Sequence, residues 1–159
     1  MNTSKPIENF AGKLGVRLEL NESLVAKHQN RYYLLNERMK RLRLGGFFHA
    51  GIYLGKSKGR TFFPSFQLLA MIAEKEGSRR VLVDGKAEWL FVCGRDVFRR
   101  GVVRAVGSTK RGADVLVVNV RGECLGFGRM MRDIAESGTA NEVVVRNIAD
   151  VGDFLRRER

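Results

Sequence analysis

An α+β fold in two parts is what this 159-residue chain predicts: an N-terminal α/β domain with a mainly antiparallel sheet over residues 1–78, then a small C-terminal β-barrel over residues 79–159. Two observations carry the prediction. Up to Gly77, segments with apolar residues at helical spacing alternate with short strand-like runs. From Arg80 onward, short β-rich segments recur about every 8 to 12 residues with glycine turns between them, which is the texture of a small barrel. No flexible linker separates the halves, so they are expected to pack rigidly.

Taken in order, Ile7, Phe10, Ala11 and Leu14 recur at helical spacing behind Ser4 as a capping residue, predicting a helix over Pro6 to Leu14. Val16, Leu18 and Leu20 alternate with Arg17 and Glu19 as in a strand, and Tyr32 to Leu35 is a second strand-like run. Asn36 then caps a helix whose inward side is Met39, Leu42 and Leu44, ended by Gly45-Gly46. Phe47 to Leu54 reads as a strand, Lys56 to Arg60 as a hairpin loop and Thr61 to Phe63 as its returning strand. Pro64-Ser65 opens a helix through Leu68, Leu69, Met71 and Ile72, stopped by Gly77.

In the second half Val81 to Val83 is a strand, Asp84-Gly85 a turn and Ala87 to Val92 a buried helical turn, although a strand fits so short an apolar run as well. Val102 to Val106, Val115 to Val120, Cys124 to Phe127 and Glu142 to Arg146 complete the strands. Leu125-Gly126-Phe127-Gly128 is the most specific feature. Without a Cβ on either side of Phe127, the backbone can approach another group closely. In so basic a chain the expected group is a phosphate.

The net charge is +12, from 29 basic and 17 acidic residues, and most of the basic ones are arginine. A guanidinium offers a planar fork that matches phosphate and stacks on bases, so the bias points to a nucleic-acid partner. Hot habitats and anionic membranes select similar charge. Cys93 and Cys124 sit in apolar runs too far apart for a Cys-x-x-Cys pair, and are expected to be buried, inert thiols in a reducing compartment. No signal-peptide pattern and no apolar stretch of about 18 residues is present, predicting a cytoplasmic protein without membrane attachment. His28 and His49 lack companions at metal-ligand spacing. Met131 stands where a dinucleotide fingerprint needs its third glycine, and no Walker lysine motif or Ser/His/Asp set is evident. Neither metal, cofactor nor catalytic residues are expected.

Val83-Asp84-Gly85-Lys86-Ala87, Gly94-Arg95-Asp96-Val97-Phe98 with Gly101-Val102, and Leu125 to Gly128 resemble a PUA domain, a small RNA-binding barrel, over about residues 80 to 159. With Ala87 to Phe91 and the closing Asp150-Val151-Gly152-Asp153-Phe154-Leu155-Arg156-Arg157, the whole chain resembles the archaeal type of the NIP-seven ribosome-biogenesis factors. That resemblance implies a non-catalytic, monomeric RNA-binding protein. It would bind single-stranded, uridine-rich or A/U-rich pre-rRNA through the PUA half and assist large-subunit maturation, with other assembly proteins meeting the N-terminal domain. Archaeal members line the last strand with basic residues. Arg146 fits, whereas Glu142, Val143 and Ala149 depart from the pattern, shifting the expected contact toward Arg129 and Arg132.

Those two arginines lie at i,i+3 after the glycine pair and would share one face if a helix began there, with a phosphate at its start and a base against an aromatic. The alternative is a core Phe127 beside solvated arginines. Arg95, Arg99, Arg100 and Arg104 are the densest charge of the second half, in the turn where PUA domains meet RNA, and Lys110 and Arg111 occupy a hairpin tip. Each also reads as a plain solvated surface. Arg38, Lys40, Arg41, Arg43, Lys56, Lys58 and Arg60 form an acid-free stretch, either a second RNA-facing surface or a dock for an acidic protein. Two further functions remain open: an accessory subunit of an RNA-modifying enzyme, and a protein-interaction module.

Overall fold

A computed structural model describes residues 2–42, 51–153 and 156. Two sheets organise them. The first contains β1 (Val25–His28), β2 (Arg31–Leu34), β3 (Ile52–Lys58) and β4 (Thr61–Pro64), antiparallel in that order. The second has the order β6-β10-β9-β8-β5-β7: β6 (Val97–Phe98), β10 (Val143–Asp150), β9 (Cys124–Met130), β8 (Asp114–Val118), β5 (Arg80–Val83) and β7 (Val102–Val106). Among the described residues β5 and β8 are its one parallel pair. The outermost strands β6 and β7 are consecutive in the chain, joined by one 3-10 turn at Arg99–Gly101. The two edges of the sheet must therefore meet, and the sheet curls into the expected small barrel.

Short helices complete the fold. α1 (Lys5–Lys13) turns Ile7, Phe10 and Ala11 inward. The Ser4 hydroxyl bonds Asn2 and Glu8 and gives no side-chain cap, contrary to expectation. In α2 (Glu37–Arg41) and α3 (Phe66–Ala73) the side chains of Asn36 and Ser65 accept from Met39 and Leu68 N–H as the sequence predicts. α4 (Gly85–Val92) is capped by Asp84, whose carboxylate accepts the Ala87 N–H, so the predicted turn is a helix start.

Several expectations need correction. Val16 to Leu20 has Val16 and Leu18 buried, but among the described residues no strand pairs with it, so its alternation reflects one-sided burial alone. Leu42 is 69% exposed rather than inward. The hairpin loop shrinks to Gly59-Arg60 because β3 continues to Lys58. Arg43, Leu44, Gly45-Gly46, the first residues of the strand expected at Phe47, His49, Phe154, Leu155 and Arg157 lie outside the described residues. β1 escapes sequence reading because its Val-Ala-Lys-His is half polar.

Two apolar clusters form the core. One lies inside the barrel, around Val81, Val83, Phe91, Val115, Val117 and Met130. The other joins the two halves: Phe10, Tyr32, Leu54, Leu68 and Ile72 from the first pack with Leu116, Val118 and Phe127 from the second. β8 is thus covered on both faces, which is why Asp114–Val118 is buried throughout and reads, after Asp114, as an unbroken apolar run. Phe127 meets Phe10 edge to face with centroids 5.3 Å apart, which fixes it as core.

Cys93 is exposed, against expectation, while Cys124 is half-buried and burial pushes its thiol up from the ordinary value. Thiolate is the reactive form. Iodoacetamide is therefore expected to alkylate Cys93 quickly and Cys124 slowly in the native protein, read by peptide mass spectrometry; equal rates would contradict this packing.

Candidate nucleic-acid interface

The glycines around Phe127 do not end a strand. They lie within β9, which runs on through Arg129 to Met130. Gly126 adopts φ +149, and a Cβ built there would overlap the Ala149 carbonyl oxygen, while one at Gly128 would overlap the Arg146 carbonyl. The close approach that these glycines allow is to β10, not to a phosphate. The helical start expected for Arg129 and Arg132 is absent for the same reason: Arg129 is a strand residue, and Arg132 lies in the bend beyond it.

Strand register then creates an arrangement that helical spacing did not suggest. Asp114 of β8, Arg129 of β9 and Arg146 of β10 are successive cross-strand partners, so their side chains share the outer face of the barrel. The Arg129 Nε donates to Asp114 Oδ1 at 2.9 Å, and Asp114 is 8% exposed. A nearly buried carboxylate thus aims a guanidinium that itself stays half exposed. Arg146 is exposed beside it. One anchored and one open fork in adjacent strands suit two neighbouring phosphates of a single strand.

The remaining candidates gather differently. Arg99, Arg100, Lys110, Arg111 and Arg132 occupy loops tied together at one end of the barrel, through Thr109 to Asp133, Arg100 to Asn141 at 2.9 Å and Arg132 to Glu142 at 3.2 Å. Within this group Arg99 is largely buried. It bonds Glu142 through Nε and Nη2 at 3.2 and 2.9 Å and the carbonyls of Ile134 and Glu136. Lys110, Arg111 and Arg100 are exposed, and Arg100 lies over the Phe98 ring. Arg95 stands apart, exposed after α4, where its carbonyl accepts from Asn147. Arg104 is exposed on β7.

Local electrostatics is structural elsewhere on the barrel. The Asn119 amide and the Arg121 guanidinium hold the exposed Glu123 carboxyl below the ordinary carboxylate range. Asp150, 2% exposed, accepts two bonds from Arg156 and one from Asn147, and this raises the Arg156 guanidinium further. Among the described residues no group of three His, Cys, Asp or Glu side chains is placed to hold a metal ion, and no helix is long and apolar enough to cross a membrane. Sequence reading missed Asp114 as the partner that orients Arg129, since only the register of β8 on β9 brings them together.

Residues 79–159 match the family model described as the UPF0113 PUA domain. The chain is 34% identical over 114 residues to a UPF0113 protein of Archaeoglobus fulgidus, covering 70% of this chain and 63% of that relative, so it spans less than two thirds of the relative's length. It is 29% identical over 141 residues, 82% of this chain and 76% of the other, to a protein of Tetraodon nigroviridis named 60S ribosome subunit biogenesis protein NIP7 homolog. A conserved PUA-domain protein from Thermoplasma acidophilum has a similar structure, with a TM-score of 0.64 at 25% identity over 98% of this chain and 93% of that one.

Proposed function

The chain belongs to the UPF0113 PUA domain family, and from that premise we propose that it is a non-catalytic RNA-binding factor of large ribosomal subunit biogenesis, of archaeal type and acting in the cytoplasm. Its ligand is single-stranded pre-rRNA, uridine-rich or A/U-rich, held on the barrel half, and other ribosome-assembly proteins meet the N-terminal domain. The observation that carries this reading is the in-register Arg129 and Arg146 pair on the outer barrel face, with Arg129 set by Asp114. Arg95, Arg100, Lys110 and Arg111 extend the positive surface, whereas Arg99 and Arg132 serve mainly to tie their loop through Glu142. The name of the Tetraodon nigroviridis relative supports the biogenesis assignment.

Arg146→Ala is expected to weaken binding of a labelled oligouridylate about five- to tenfold in fluorescence anisotropy while leaving thermal unfolding unchanged, because the side chain has an exposed head and no packing role. With about four phosphates neutralised, the logarithm of affinity should fall against the logarithm of salt with a slope near −3. Unchanged affinity for the variant, or salt-independent binding, would reject the arginine face. Sequencing RNA crosslinked to the protein in its own cells tests the process: recovery of tRNA in place of precursor rRNA would move the assignment to a modification-enzyme subunit.

A further inference from the structure

The strands of the N-terminal sheet contain Lys27, Arg31, Lys56 and Lys58 and not one Asp or Glu. Register sorts these cations. Arg31 of β2 pairs with Lys56 of β3, and Lys56 pairs with Phe63 of β4, so the three form one row on the sheet face turned away from the shared core. Lys58 follows on the same face two residues along. Phe63 is 44% exposed, at the edge strand of the sheet. Among the described residues none of these cations joins an ion pair with a carboxylate.

The row is continuous with the barrel face. Phe63, Lys56 and Arg60 line a cavity of about 1190 Å³ that also reaches Phe62, Phe127 and Arg129. Phe62 and Phe63 point to opposite faces of β4, so this space passes around the β4 edge, beside α1, and reaches Arg129. An exposed ring flanked by cations without carboxylate partners among the described residues, joined by this cavity to Arg129, is the combination that unpaired nucleic acid requires: charge along the backbone and a flat apolar surface for a base.

We propose that the β4 edge is a second contact surface for unpaired RNA, with a base stacked on Phe63 and the flanking phosphates on Lys56, Arg31 and Arg60. It rests on the barrel reading above in that the same strand continues from Arg129. An acidic protein segment would use the cations but has no need of a ring set in register with them.

The test uses the full chain and a labelled oligouridylate. Phe63→Leu keeps apolar bulk and removes the π-face. It is expected to lower affinity about fivefold or more, Phe63→Ala by at least as much, and Phe63→Tyr to retain binding. Crosslinking with 4-thiouridine should label the peptide containing Phe63. If Phe63→Leu binds like the unaltered protein, or if crosslinks are confined to residues 79–159, the second surface is overturned while the barrel reading survives through the Arg146→Ala loss. If Arg146→Ala is silent and Phe63→Leu is not, the barrel reading fails and the edge stands. Polyglutamate binding as tightly as oligouridylate, unaffected by Phe63→Leu, would show a surface that reads charge alone and would overturn the proposal.

Discussion

Replacing Gly126 by alanine is expected to destabilise the protein by about 4 kcal/mol, lowering the thermal midpoint by roughly 10 °C. Two costs add. The backbone there holds φ +149, and the new methyl would overlap the Ala149 carbonyl and press on the Asp150 Cα. Backbone atoms within a ladder cannot rotate out of the way. Gly112 gives the comparison, since its φ is +86 and nothing lies within 4 Å of a Cβ built on it. Gly112→Ala should cost only about 1 kcal/mol, from conformation alone. Equal midpoints for the two variants in a calorimetric scan would refute the packing account of the glycine pair.

Arg99→Ala is expected to cost about 3 kcal/mol, because Glu142 Oε2 and the carbonyls of Asp133, Ile134 and Glu136 lose the guanidinium, with Arg132 still holding Glu142 Oε1. The Arg99 and Glu142 side chains are only 17% and 25% exposed, so solvent replaces little of the lost interaction. Gly138 belongs to the same arrangement: a Cβ there would collide with both Glu142 and Arg99. Arg99→Lys keeps the charge but cannot span Glu142 and the loop carbonyls together, and should recover only part of the loss. Hydrogen exchange should quicken at residues 133–142 in the alanine variant. A stable variant with weakened RNA affinity would instead make Arg99 a contact residue.

Most of the strands were legible because apolar periodicity and glycine turns report local burial. The Asn36 and Ser65 caps were legible for a similar reason, since a capping side chain acts within three residues. What failed was relational. Val16 to Leu20 has the alternation of a strand, but a ladder needs a partner that local sequence does not specify. The role of Gly126 and Gly128 depended on whether a strand or a ligand lies opposite, and β10 lies opposite. Arg129 was misplaced in geometry, since helical spacing joined it to Arg132 whereas sheet register joins it to Asp114 and Arg146. The row of Arg31, Lys56 and Phe63 draws on three strands, so no window of contiguous residues contains it.

Phe127 wedged against Phe10, with Leu116 and Val118 beneath the N-terminal sheet, makes one apolar body of what the chain builds as two units. Such a joint has no hinge, so the interval between contacts on either side of it is set when the protein folds. If both proposed surfaces hold RNA, the molecule would act as a fixed gauge, selecting an unpaired stretch by whether it has the reach and bend to lie along both at once.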